Sequence, residues 1–286
     1  MTPIPAPPIA VGTLLPTLIV VGTALLVLVL DLLPPRGDKA HLGAVTLAGL
    51  VGTLLATLTA WGGRGRGFRD MVVLDNYALF FHVVIGYAAA LVVLVSMDYL
   101  RRAGAESGEF YGLVLFATAG MMTLASANDL IVVFLGVELM SLSLYVLAGL
   151  FKRRRESSEA SMKYFLLGVF ASAFLLYGIA LLYGATGSTN FDRIAAAGAA
   201  APGDPLFVLG LGLLLVGFGF KIASVPFHMW APDVYEGAPT SVTAFIATGS
   251  KAAVFAALIR LVIAGLRPPP PDATTVLWVL AAATMT

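Results

Sequence analysis

The sequence predicts an all-α polytopic membrane protein, and three observations carry that reading. Apolar residues make up 59% of its 286 positions and charged residues 12%, against about 25% charged in soluble domains. The mean hydropathy is +0.94. Apolar runs of the ~20 residues that cross a bilayer recur along the whole chain. A transmembrane barrel would alternate polar and apolar residues at period two; no such pattern occurs, and no strands are expected.

The bulk numbers also exclude functions. The net charge of +1 points neither to nucleic acid nor to an acidic partner. With no cysteine, disulfides, thiolate chemistry and cysteine-held metals or Fe–S clusters are ruled out within this chain.

The first apolar run covers residues 9–33. The first thirty residues hold no Lys or Arg, so the charged start of a cleaved signal peptide is missing and a first spanning helix is expected. Further spans fall near 41–61, 72–98, 110–127, 129–151, 160–184, 205–229 and 240–265. A ninth run begins near Thr274 and the chain ends within it, at Thr286, so the sequence reads as part of a longer protein.

The connections are short and polar. "PPRGDK", "GGRGRGFRD" and "RRAGAESGE" separate the first four spans. In "SANDL", Asn128 is placed to cap the fifth helix and Asp129 to meet its positive N-terminal dipole. The glycines of "GGRGRG" follow a membrane helix and precede no GKS/T, so they are not a phosphate loop. Trp61, Tyr99, Trp230 and Tyr235 read as interfacial anchors. Gly210, Gly212, Gly217 and Gly219 read as close-packing positions.

Loop charges set the expected orientation. Arg36, Lys39, Arg101, Arg102 and the run Lys152, Arg153, Arg154 and Arg155 share one side. Arg64, Arg66, Arg69, Arg193 and Arg267 share the other. Eight against five places the 152–155 loop in the cytoplasm and the N-terminus outside.

Three ionisable groups lie deep in apolar spans: Glu138, Lys221 and Lys251. At ~1.5 Å per residue, Glu138 lies ~14 Å past Asp129 and Lys251 ~16 Å past Thr240, near the centre of a core ~30 Å thick. A charge there costs roughly 2.5–3.5 kcal/mol on insertion scales. One reading is a static pair of Glu138 with one lysine, which leaves the other lysine unexplained and stabilises no better than apolar packing. The other is a proton or ion pathway, the default for intramembrane charges. A lysine suits that task because desolvation weakens its hold on a proton and a nearby carboxylate restores it. Glu138 is expected to pair with Lys221 and Lys251 to take the proton next.

The stretch "GFGFKIASVPFHMWAPDVYEG" adds a movable part. Pro226 cannot donate to the carbonyl of Ile222, so the seventh span is expected to break within 222–227. Such a break is either an ordinary proline kink or a broken helix lining a transport site. His228, seven residues after Lys221, would share its face on a continuous helix; it reads either as a proton relay or as an interfacial residue. His82 reads as a packed histidine, and Asp75, at the start of the third span, as exposed to water.

These residues carry a family resemblance. "ASANDLIVVFLGVELMSLSLYVLAGL", "SEASMKYFLLGVFASAFLLYGIALLYGATGSTNF" and "GFGFKIASVPFHMWAPDVYEGAPTSVTAF" resemble the proton-pumping, antiporter-like membrane subunits of respiratory complex I, in particular its N-subunit family. The likeness covers roughly residues 70–265; residues 1–69 match only in hydropathy. It implies an inverted-repeat fold of fourteen helices. Residues 1–103 would form three N-terminal helices and 104–267 the first five-helix repeat. Residues 268–286 would start a second repeat that this chain lacks.

The resemblance also implies that Glu138, Lys221 and Lys251 form the proton relay. It places NADH, FMN, Fe–S clusters and quinone in partner subunits, with no cofactor in this chain. Its implied partners are the neighbouring membrane-arm subunits, and its implied location is the bacterial inner membrane. The competing readings are a subunit of a multisubunit cation/proton antiporter and a membrane scaffold whose charges only fasten helices together.

Overall fold

The structure, a computed structural model, describes residues 10–33, 39–105, 107–201, 203–266 and 271–285. Arg36 and Arg267, both used above for orientation, lie outside the described residues.

The helices are α1 Leu15–Leu32, α2 Ala40–Thr59, α3 Asn76–Ala103, α4 Gly108–Ala125, α5 Leu130–Ala148 and α6 Arg155–Thr186. They continue with α7 Phe191–Ala200, α8 Pro205–Ile222, α9 Ala231–Gly237, α10 Thr240–Phe245, α11 Lys251–Arg260 and α12 Pro271–Met285. Among the described residues, eight helical segments are long and apolar enough to cross a membrane. Each is mostly apolar, with hydroxyls that turn inward. Thr46, Thr53, Thr57 and Thr118 return their protons to the carbonyl four residues back, as polar side chains in lipid do. Leu25, Leu26 and Val29 on α1 and Phe165, Leu166 and Phe170 on α6 face outward. The protein is a multi-pass membrane protein.

Caps mark where the spans start. Asp75 accepts from Ala78 N, Ser107 from Phe110 N and Asp129 from Ile131 N, so amides that helix geometry leaves unpaired are satisfied. Asp129, rather than Asn128, caps α5. Asn128 instead donates to the Asp70 carbonyl.

The spans pack most closely as α4 on α5 and α6 on α8. Glycine permits both contacts. A Cβ at Gly120 would meet Met140 N at 2.5 Å, and one at Gly178 would meet the Gly210 carbonyl at 2.7 Å. Of the four glycines expected to pack on α8, Gly210, Gly217 and Gly219 do so. Gly212 faces open space.

The expectation of no strands is corrected by a short antiparallel hairpin, β1 Gly65–Gly67 with β2 Val72–Leu74. Three-residue strands are too short to display a period. Phe68, Arg69 and Asp70 all adopt positive φ, which L-residues rarely do in succession. The turn is held from outside: Asn128 Nδ2 and Asn190 Nδ2 both donate to the Asp70 carbonyl. Val73 N bonds the Ser126 carbonyl at 2.9 Å, so the hairpin closes one end of the bundle beside the α4–α5 turn and α7. The opposite end carries the 152–155 loop and α9, and Lys163 Nζ of α6 pairs with Asp233 of α9 at 2.6 Å.

The seventh span ends early. α8 stops at Ile222, Ala223 turns left-handed at φ 58°, and Ser224 N closes onto the Gly219 carbonyl at 2.9 Å. The Val225–Pro226 peptide is cis. The break lies where expected, within 222–227, but its local cause differs. The chain has left the helix three residues before Pro226, so the proline prevents continuation rather than kinking a helix through it.

The eighth span is also irregular. Two π-turns, Ile246–Ser250 and Leu261–Gly265, bracket α11. Lys251 is its first residue and Arg260 its last.

Candidate functional site

Glu138, Ser141 and Tyr145 lie at i, i+3 and i+7 on α5, so they form one stripe. α6 and α8 cover it. Glu138 is half-buried, and its Oε1 accepts from Ser172 Oγ of α6 at 2.5 Å. Lys221, 4% exposed, donates from Nζ to Ser141 Oγ at 2.7 Å and to the Tyr145 hydroxyl at 3.0 Å. Ser141 passes its own proton to the Val137 carbonyl.

The expected direct Glu138–Lys221 pair is therefore not formed. Among the described residues no ion pair joins them. Each charge is satisfied by hydroxyls instead, and the two meet neighbouring positions of one stripe. Lys221 has two further supports. Its ammonium lies 5.1, 5.8 and 5.6 Å from the ring centres of Tyr145, Tyr164 and Phe220, which attract a cation through their π faces. It also sits in the last turn of α8, where the negative end of the helix dipole favours positive charge. The broken helix thus supplies part of the counter-charge that a carboxylate would otherwise provide.

Trp230 is no interfacial anchor: it is 1% exposed. Its Nε1 donates to the Phe220 carbonyl at 2.9 Å, which also accepts from Ala223 N at the break. Its ring stacks on Tyr164 at 4.6 Å and meets Tyr235 edge-on at 6.1 Å. Lys251 Nζ lies 5.7 Å from the Tyr235 ring centre. Tyr164, Trp230 and Tyr235 therefore form an aromatic wall with Lys221 at one end and Lys251 at the other. Among the described residues the Tyr235 hydroxyl is buried without a partner.

His228 does not join them. It is exposed in the break, and its carbonyl accepts from Ala231 N. With α8 ended, the seven-residue spacing no longer places it on the face of Lys221.

A second charged cluster lies at the hairpin end. Arg260 clasps Asp75 with two bonds of 2.9 and 2.8 Å, donates to the Ala125 carbonyl and covers the Tyr77 ring at 4.8 Å. Burial alone would raise the Asp75 carboxyl, but the bonds from Arg260 and Ala78 N hold it below its ordinary value. Asp75 is thus a partly buried cap and ion-pair partner, not a free aqueous group. His82 packs as expected, its Nε2 3.0 Å from both the Met122 carbonyl and Ser126 Oγ.

Ser141, Tyr145, Ser172 and Arg260 escape a reading of the sequence. A hydroxyl in a membrane helix usually bonds its own backbone, as Ser143 does with Leu139, so nothing marks Ser141 apart. The available signal was the stripe 138, 141, 145. For Arg260 it was an arginine still inside an apolar run, nine residues after Lys251. Among the described residues, no group of three or more His, Asp or Glu is placed to hold a metal ion.

Residues 127–286 match the family described as NADH:quinone oxidoreductase/Mrp antiporter, TM. The chain belongs to that family. Among its relatives, NADH-quinone oxidoreductase subunit N of Trichlorobacter lovleyi is 46% identical over 280 residues, covering 97% of this chain and 58% of the relative. A subunit N of Roseiflexus castenholzii is 44% identical over 289 residues, covering 100% and 58%. The chain thus spans about three-fifths of the length of these relatives.

Two solved structures are similar. A chain of respiratory complex I from Thermus thermophilus, with bound aureothin, is 42% identical at a TM-score of 0.72, covering 86% of this chain and 52% of that one. A chain of the Mrp complex from a Dietzia species is 25% identical at 0.76, covering 91% and 29%. Family membership accounts for the antiporter-like fold.

Proposed function

We propose that this chain is part of the proton-translocating N subunit of a bacterial NADH–quinone oxidoreductase. In this reading Glu138, Lys221 and Lys251 carry the proton, and quinone reduction in other subunits drives it. The observation that carries it is the separated pair: a carboxylate and an ammonium deep in the membrane, meeting one stripe of α5, each held by hydroxyls, beside a broken helix. A contact pair at 4 Å is worth about 4 kcal/mol at an effective dielectric constant of 20. Bringing Glu138 toward Lys221 therefore favours the charged lysine, and parting them favours release. Lys251, beyond the aromatic wall, receives the released proton.

The remaining assignments rest on the likeness to subunit N. Residues 104–267 form the first repeat, with 1–103 ahead of it and 268–286 opening the second. NADH, FMN, Fe–S clusters and quinone belong to partner subunits, and the neighbours are other membrane-arm subunits in the inner membrane. Loop charges put the 152–155 loop in the cytoplasm and the N-terminus outside. The chain has no native cysteine, so a single cysteine at Arg153 can be labelled in sealed cells. Labelling from outside would reverse the orientation.

The deciding experiment is Glu138→Gln in the full-length protein within its assembled complex. Assembly on native gels should persist, while protons moved per electron in reconstituted vesicles fall severalfold. Lys251→Ala should do likewise. Wild-type pumping by an assembled Glu138→Gln complex would end the proposal. A cation/proton antiporter is the second reading, favoured by the likeness to the Mrp chain. Copurification with flavin- and Fe–S-containing subunits decides against it.

A further inference from the structure

Between α5 and α6, at the bundle end that carries the 152–155 loop, lies an opening of about 310 Å³ lined by Tyr145, Gly149, Ser158 and Ser161, with apolar neighbours. Tyr145 forms its inner wall. The residue is 3% exposed, and its ring is wedged edge-on between Tyr164 at 4.7 Å and Phe165 at 5.8 Å. Its phenolic oxygen accepts from Lys221 Nζ at 3.0 Å.

Packing alone does not call for the hydroxyl. A phenylalanine would fill the same aromatic slot. Yet α6 carries a glycine, Gly168, opposite it, and a Cβ there would overlap the Tyr145 oxygen. Glycine inside a helix costs roughly 0.5–1 kcal/mol relative to alanine, so the gap is kept against helix stability. The lysine donates into the phenolic oxygen, which leaves the phenol's own proton directed elsewhere. Among the described residues no hydrogen-bond acceptor takes it.

We infer that Tyr145 is a proton-relay residue that loads Lys221 from this opening. The inference rests on the proton-translocating reading above. In the loading step a hydronium ion in the opening gives a proton to the phenolic oxygen as the phenol passes its own to the neutral Lys221 amine. Two O–H bonds break, one on the hydronium and one on the phenol, while one O–H bond on the phenol and one N–H bond on the lysine form. The hydronium becomes water, the lysine becomes ammonium, and Tyr145 ends neutral as it began. Tyrosine is among the side chains that move protons in this way. Ser158 and Ser161 donate to the Lys152 and Tyr145 carbonyls, leaving their oxygens free to accept from water at the mouth.

The ionisable groups around the step are Glu138 on α5 and Tyr164 on α6. At the same end of the bundle lies the surface cluster Glu159, Lys163 and Asp233. None of these stands between Tyr145 and Lys221.

The test uses Tyr145→Phe in the full-length protein within its assembled complex, with protons moved per electron measured in vesicles across pH. Without the hydroxyl, loading proceeds by direct water access and depends on proton concentration. Pumping should fall about fivefold near pH 8.5 and return to within about twofold of wild type near pH 6. Gly168→Ala, which displaces the phenol but keeps it, should show the same pattern. Wild-type pumping by Tyr145→Phe at both pH values overturns the inference. So does an equal loss at both, which marks the hydroxyl as structural. Glu138→Gln and Lys221→Met are run in parallel. If they too pump as wild type, the parent reading fails; if they fail to pump while Tyr145→Phe is unimpaired, only the relay is lost.

Discussion

Two of this molecule's carboxylate–cation couples are built in opposite ways. Asp75 and Arg260, at the hairpin end, are clasped by two direct hydrogen bonds. Glu138, on the α5 stripe, and Lys221, which reaches that stripe from α8, touch hydroxyls rather than each other. A planar guanidinium on a carboxylate has one strongly preferred geometry. An ammonium and a carboxylate set on serine and tyrosine hydroxyls can each exchange partners. The first couple suits fastening and the second suits switching.

The comparison breaks most visibly at Lys221. Lys221→Met should lower proton translocation in vesicles more than about tenfold while assembly on native gels persists, because methionine fills the site and no buried carboxylate is left unsatisfied: Glu138 keeps Ser172. If translocation survives, the separated couple is not a switch. The next effect belongs to the clasped couple. Arg260→Met strands Asp75, and should cost roughly 2–3 kcal/mol after allowance for the exposure of the carboxyl. The readout is a lower thermal midpoint in detergent. Asp75→Asn added to Arg260→Met should recover part of that loss; a double variant worse than the single would contradict a simple ion pair.

Smaller effects sharpen the contrast. Ser141→Ala removes one of the two hydroxyls on Lys221 and should reduce pumping a few-fold with little change in melting, since a single neutral hydrogen bond is worth about 1 kcal/mol. A melting loss without a pumping loss would move Ser141 to the fastening class. The smallest concerns acid. Asp75 has its carboxyl held below the ordinary 3.8, so its contribution is complete above that value and disappears as pH falls through the lowered one. Between neutrality and about pH 5 the clasp should be insensitive to pH, and Arg260→Met should flatten the loss of stability below about pH 4. An unchanged acid limb in that variant would remove Asp75 from the account.

Much of this was legible beforehand. The spans could be read because bilayer thickness sets their length, and Glu138, Lys221 and Lys251 because charge is rare in such runs. The break after Lys221 could be read from Pro226, though the helix ended at Ala223, where a left-handed residue closes the last turn. What could not be read was side-chain direction at similar spacing. Ser141 and Ser143 look alike in the sequence, yet only Ser141 reaches the lysine. His228 lost its expected face because a helical count does not continue across a break. Trp230 was taken for a surface anchor because tryptophan near the end of a span usually is one; here it caps the carbonyl of Phe220. The hairpin stayed hidden because its fold depends on two asparagines more than fifty residues away.

α11 links the Asp75–Arg260 couple to Lys251. It is a ten-residue rod with a wide turn at each end, Lys251 at its head and Arg260 at its tail. Nine residues of helix set these side chains about 180° apart around the axis and ~14 Å apart along it. Their azimuths are rigidly geared, since the hinges lie outside the rod. A twist of the rod that swung Lys251 away from Tyr235 would also turn Arg260 against its two bonds to Asp75 at the far end.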